Sequence, residues 1–247
     1  NNNFGQVMLA QGKVKEAIDY YDKAIRLSPG FIYLYNNRGA AYAKLGLYQK
    51  AIEDYDKAIR LNRDHFSAYY NRANAYTALG QNQMAIADYR QAIHLSPKFA
   101  NAYINLGIVQ VKLNHYQEAI ANCSQAIRLK PRDPNGYYNR GEAYLKLGRY
   151  QQAIEDFSAV VRLQPEDYEA YYQRGVAHGK LDVHRSEIED YSQAIRLKPD
   201  YAPALNGRAA SYFRQNDTLS GCRDALAACK LGACQALERA KAGGVCR

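Results

Sequence analysis

Residues 32–65 read IYLYNNRGAAYAKLGLYQKAIEDYDKAIRLNRDH. Apolar and small residues recur at helical spacing in two runs, which predicts helix A near Ile32–Leu45 and helix B near Tyr48–Leu61. Small residues at Gly39, Ala51 and Ala58 let the two backbones approach closely, and Tyr35, Tyr42 and Tyr55 fill the space around that contact.

Outward from this stretch the pattern repeats every 34 residues. Gly39 recurs as Ala73, Gly107, Gly141 and Gly175; Ala51 as Ala17, Ala85, Ala119 and Ala153; Ala58 as Ala24, Ala92, Ala126, Val160 and Ala194. The turn after helix A carries Gly12, Gly46, Gly80, Asn114, Gly148, Asp182 and Asn216, the residue types that accept a left-handed backbone at a helix end. Pro29, Pro97, Pro131, Pro165 and Pro199 fall where helix B must stop, with Arg63 interrupting the series. Arg26, Arg60, His94, Arg128, Arg162, Arg196 and Lys230 precede that stop and complement the helix dipole, with Asp22 and Asp56 at i,i+4 spacing to Arg26 and Arg60.

The pattern Tyr-x3-Gly-x2-Tyr, Ala-x3-Tyr-x2-Ala, then Pro resembles the tetratricopeptide repeat (TPR), in the manner of bacterial tandem TPR proteins. The resemblance implies an all-α fold, a right-handed solenoid of antiparallel helix hairpins. Residues 1–31 read as a truncated first repeat and 32–201 as five full repeats. Residues 202–233 read as a degenerate seventh repeat and 234–247 as a cysteine-containing cap, the whole forming one solenoid domain. The opening Asn1-Asn2-Asn3-Phe4 does not look like a natural start, so a longer parent chain is expected. Glu187 stands at a small-residue position, beside His178 and His184 at aromatic ones, and Gly221 and Ala225 weaken the last repeat. Looser packing is expected there, as at the end of an array.

The family serves many pathways, so the fold alone does not give a function. There is no phosphate loop, nucleophile elbow or His-Glu-x-x-His motif, and His178 and His184 lie on different helix faces. No catalytic, metal or cofactor site is therefore expected. No apolar run is long enough to span a membrane. Net charge is +9 over 247 residues, which favours an acidic partner. Helix-A positions hold ten bases (Arg38, Lys44, Arg72, Lys112, Arg140, Lys146, Arg174, Lys180, Arg208, Arg214) against two acids, Glu142 and Glu169. That excess would face the groove in which family members hold extended peptides.

Three rows divide this face. Lys44, Lys112, Lys146, Lys180 and Arg214 occupy a position exposed in family grooves, where ligand contact and solubility are both served. Arg38, Arg72, Arg140, Arg174 and Arg208 sit beside the small packing residue. They are expected to cover apolar surface while reaching water or a carboxylate. Asn3, Asn37, Asn71, Asn105, Asn139 and Gln173 form a carboxamide row similar to the asparagine ladder of O-linked N-acetylglucosamine transferase and to groove asparagines of peroxisomal import receptors. Carboxamides both donate and accept, so the row could clamp a peptide backbone; the alternative is a consensus residue bonding locally. Asn36, Ala40, Tyr70 and Asn74 do not supply the lysine of a chaperone-type carboxylate clamp. Tyr70, Tyr138 and Tyr172 could stack on bases, but the period is not that of RNA-reading repeats, and nucleic acid is the lesser expectation. The leading reading is a non-enzymatic scaffold for an extended, acidic protein segment. The alternatives are a docking arm of a larger enzyme and a self-assembling scaffold.

Cys123 falls at a core position, while Cys222, Cys229, Cys234 and Cys246 crowd the end. A helix over 219–231, a break at Gly232 and a short helix over Cys234–Ala242 would fold back antiparallel. That brings Cys229 toward Cys234 and Cys222 toward Cys246 for two disulfides. The alternatives are free thiols or a zinc site, whose paired short spacings are lacking. Disulfides would place the chain in the periplasm or outside the cell, free thiols in the cytoplasm.

Overall fold

The computed structural model describes residues 2–246, with side chains from Phe4 onward. Among the described residues there are fifteen helices and no strand, and the fold is an all-α helical-repeat solenoid. The chain divides into two compact units, Asn1–Asn114 and His115–Arg247.

In the first unit the A helices are α1 (Asn2–Ala10), α3 (Ile32–Lys44), α5 (Phe66–Ala78) and α7 (Ala100–Lys112). The B helices are α2 (Val14–Leu27), α4 (Tyr48–Leu61) and α6 (Asn82–Leu95). Each B helix packs against the A helices before and after it, and consecutive A helices also touch. In the second unit the A helices are α9 (Pro134–Lys146), α11 (Tyr168–Lys180) and α13 (Ala202–Arg214). They alternate with α8 (Tyr116–Leu129), α10 (Tyr150–Leu163), α12 (His184–Leu197) and α14 (Thr218–Lys230). A short α15 (Gln235–Ala242) packs on both α13 and α14, and so takes the place of a further A helix.

The small residues are where the helices meet. Ala17, Ala51, Ala85, Ala119 and Ala153 are fully buried. A methyl group at Gly39 would sit 2.7 Å from the Tyr55 ring, so the close approach of α3 and α4 needs glycine there. The turns close as their residue types require. Asn114, Asp182 and Asn216 take φ of 62°, 57° and 61°, beside Gly12, Gly46, Gly80 and Gly148 in the same left-handed region. Each follows one residue after the helix cap, as Gly46 follows Leu45. The loop prolines gain a second purpose: the hydroxyls of Tyr35, Tyr103 and Tyr137 donate to the carbonyls of Pro29, Pro97 and Pro131 at 2.9, 3.2 and 3.3 Å.

Two disulfides, Cys222–Cys246 and Cys229–Cys234, with Cα–Cα distances of 5.7 and 4.0 Å, tie α15 and its tail to α14. Cys123 is free and fully buried. Among the described residues no helix is long and apolar enough to cross a membrane.

Candidate functional site: the A-helix faces

The arginine row is built into the array. Arg38 donates from Nε and Nη2 to both oxygens of Asp54, and from Nη1 to Asp22 at 2.6 Å. It thereby links α3 to the B helices on either side. Arg72 does the same with Asp88 and Asp56. In the second unit Arg140, Arg174 and Arg208 bind Asp156, Asp190 and Asp224 through two nitrogens each, and the third nitrogen donates to Ser124, Ser158 and Ser192. Tyrosines one turn away flank the guanidinium: Arg38 lies 5.9 and 5.8 Å from the ring centres of Tyr35 and Tyr42, and Arg72 and Arg140 repeat the arrangement. Burial raises the Asp54 and Asp156 carboxyls even beside an arginine.

This network changes the charge of the face. Asp22 and Asp56, which the spacing assigned to Arg26 and Arg60, are held by Arg38 and Arg72 instead. Arg214 is also taken, by Glu187 at 2.6 Å. The ten bases against two acids therefore reduce to Lys44, Lys112, Lys146 and Lys180 against Glu142 and Glu169. All four lysines are exposed. Among the described residues none of them forms an ion pair; Lys44 Nζ lies 3.5 Å from the Leu9 carbonyl oxygen.

The carboxamide row runs along contacts between successive A helices. Asn71 donates from Nδ2 to Asn36 at 3.1 Å. Asn105 donates from Nδ2 to the Tyr70 hydroxyl and to Asn74 Oδ1, at 3.0 and 2.9 Å, and Asn74 also accepts from the buried Tyr89 hydroxyl. In the second unit Asn139 bonds within its own helix, to the Asn135 carbonyl at 2.7 Å, and Gln173 bonds Tyr138. Asn37 is half-buried on α3; Asn3 lies outside the described side chains. These bonds supply the local role for the row: Asn105 uses both of its Nδ2 hydrogens, and Asn139 is buried. Tyr70, Tyr138 and Tyr172 are half-buried, with their rings against Phe99, Phe157 and Tyr201. That leaves little free face for stacking on a base.

One position is filled by exchange of volume. Glu187 occupies the small-residue site with 4% of its side chain exposed, and the space comes from Gly179, where a methyl group would collide with the carboxylate. His184 Nδ1 lies 3.2 Å from the second Glu187 oxygen. The converse exchange follows one repeat later, where Phe213 lies over Gly221. Equivalent cavities open on the A-helix side of each unit. One of about 190 Å³ is lined by Asn74, Thr77, Tyr89, Asn105 and Ile108. Another of about 210 Å³ lies among Val176, Gly179, Glu187, Tyr191, Gly207 and Arg214.

Tetratricopeptide-repeat family models match residues 5–46, 32–65, 54–87, 73–114, 104–168, 138–181 and 168–201. The chain belongs to the tetratricopeptide-repeat family. No curated protein matches it. Among solved TPR structures, YrrB, described as a TPR protein with an unusual peptide-binding site, is 24% identical with a TM-score of 0.67, over 76% of this chain and 97% of its own. The C-terminal part of a TPR protein from Cytophaga hutchinsonii is 21% identical with a TM-score of 0.76, over 94% and 95%. MamA is 27% identical with a TM-score of 0.61, over 67% and 96%. At the first two identities the likeness is one of fold. As a TPR array the chain is a protein–protein interaction scaffold in its general character.

Proposed function

We propose that this TPR chain is a non-catalytic scaffold that binds an extended, acidic segment of a partner protein on its A-helix faces. One observation carries the reading. The six arginines of α3, α5, α9, α11 and α13 are ion-paired within the array, while Lys44, Lys112, Lys146 and Lys180 are left exposed. Charges spent on internal pairs hold the repeats together; those left in water can meet a carboxylate. Asn71 and Asn105 are half-buried, and a carboxamide oxygen at these positions can accept a peptide N–H.

The test is panning of a random peptide display library on the intact chain. Acidic sequences should be enriched, their affinity should fall as salt rises to roughly 0.15 M, and reversal of Lys112 and Lys146 to Glu should weaken them further. Enrichment of neutral or basic sequences, or affinity indifferent to both salt and charge reversal, defeats the reading.

A further inference from the structure

In the second unit a cavity of about 380 Å³ lies between α13 and α15. Its walls are Phe213 and Ala210 of α13, Ala236 and Ala240 of α15, and Val245 of the tail, with Arg239 at the rim. Its size falls within the range of ligand pockets, roughly 300–1,000 Å³. Its origin is local. Phe213 lies over Gly221, where a methyl group would be 2.5 Å from the ring. Opposite it, α15 presents the small side chains of Ala236 and Ala240 between Gln235 and Arg239. Three tethers fix that helix: the two disulfides, and Asn206 Oδ1, which accepts the Ala236 amide at 2.9 Å. The Cys222–Cys246 bond also holds the tail that supplies the Val245 wall. The cavity is thus preorganised and mainly apolar, with Asn206, Asn216, Thr218 and Gln235 completing its lining, and would lose little freedom on being filled.

We infer that this cap cavity receives one aliphatic or aromatic side chain of the bound segment, next to carboxylates of the same segment. The inference rests on the scaffold reading above. Charge selects the occupant. Ala210 also lines the neighbouring cavity, which Lys180 borders, so Arg239 and Lys180 both lie beside the path of the segment. Of the nearby acids, Asp217 is turned toward the start of α14, where it accepts the Ser220 amide, and Glu187 is buried under Arg214. Glu238 is exposed on α15, next in sequence to Arg239. An apolar side chain flanked by acids satisfies both the walls and the rim.

The probe is a short fluorescein-labelled peptide of alternating aspartate and glycine with one central leucine. Its controls are a twin with glycine for the leucine and a twin with asparagine for the aspartates. Binding to the intact, oxidised chain is followed by anisotropy. Burying a leucine should tighten binding by roughly tenfold or more over the glycine twin. Thr218→Phe and Gln235→Phe place a ring in the cavity mouth from exposed positions. Each should remove the leucine advantage and leave the glycine twin's affinity unchanged. An advantage below about threefold, or one that survives both substitutions, overturns the cap site. If the aspartate peptides still outbind the asparagine twin in that case, the scaffold reading stands without it. If they do not, the acidic-segment reading falls as well.

Discussion

Arg38 holds Asp54 through two parallel hydrogen bonds, of 2.8 and 2.6 Å, across sixteen residues of sequence. The same relationship joins Arg72 to Asp88, Arg140 to Asp156, Arg174 to Asp190 and Arg208 to Asp224. The aspartates keep 4–9% of their side-chain surface. A buried pair of this kind offsets its desolvation only while both partners are present.

Arg72→Leu should therefore cost about 3–5 kcal/mol, because Asp88 is left charged in the interior. Arg72→Leu with Asp88→Asn should recover most of that loss, since leucine and asparagine are what positions 106 and 122 carry in the repeat without the pair. Urea denaturation followed by circular dichroism measures both. A double variant as unstable as the single one would show that the pair is not the unit.

The two disulfides should differ in worth. Cys222–Cys246 spans 24 residues and Cys229–Cys234 spans 5. Loop-closure entropy gives roughly 3.5 and 2 kcal/mol, respectively. Serine pairs at each site, compared by thermal melting of the intact chain, should rank in that order, with the larger loss confined to α14 and α15 by hydrogen exchange.

His178 gives the chain an acid sensitivity. Burial lowers its pKa, and its Nδ1 is buried without a hydrogen-bond partner. A depressed histidine binds its proton more readily in the unfolded chain. The stability it contributes is full above about pH 6.5 and is lost as pH falls through the folded value. Tyr42, Tyr76, Tyr144 and Tyr212 occupy the equivalent position. His178→Tyr should flatten the decline in melting temperature from about pH 7 to about pH 5. Parallel curves for the two proteins would remove His178 as the cause.

Gly179 and Glu187 should behave as one unit. Gly179→Leu alone overpacks the site and should cost roughly 1–3 kcal/mol; Glu187→Ala alone leaves a hole and strips Arg214 of its partner. The double variant restores the Leu145 and Ala153 combination of the neighbouring repeat. It should be more stable than the sum of the single losses allows, which a double-mutant cycle reads directly.

The helices were legible because they depend on local rules. Helix A near Ile32–Leu45 and helix B near Tyr48–Leu61 are α3, Ile32–Lys44, and α4, Tyr48–Leu61; Asn114, Asp182 and Asn216 take the left-handed backbone their types suggested. The expected looseness around Glu187 overlooked Gly179, eight residues earlier, which vacates the space. The arginine partners were hidden because the contacts reach sixteen residues forward and back, beyond any helical period. A signal was nevertheless present. Arginine and aspartate are lost together, as Leu106 with Asn122 and as Phe4 with Tyr20, and the latter two rings stack at 6.0 Å. The carboxamide partners Asn36, Tyr70 and Asn74 lie 35 or 31 residues back, so only the packing of one A helix on the next identifies them. The cap cavity depends on where α15 comes to rest, which no periodicity encodes.

Cys123 has a practical consequence. With Cys222–Cys246 and Cys229–Cys234 disulfide-bonded, it is the one free thiol among the described residues, fully buried on α8, and burial pushes its pKa up to about 12. In the packed state it is both out of reach and protonated, hence inert toward alkylating reagents. Its labelling therefore works as a clock: the rate at which a thiol reagent enters oxidised protein counts the openings around α8, with no engineered probe and no signal from the capped end.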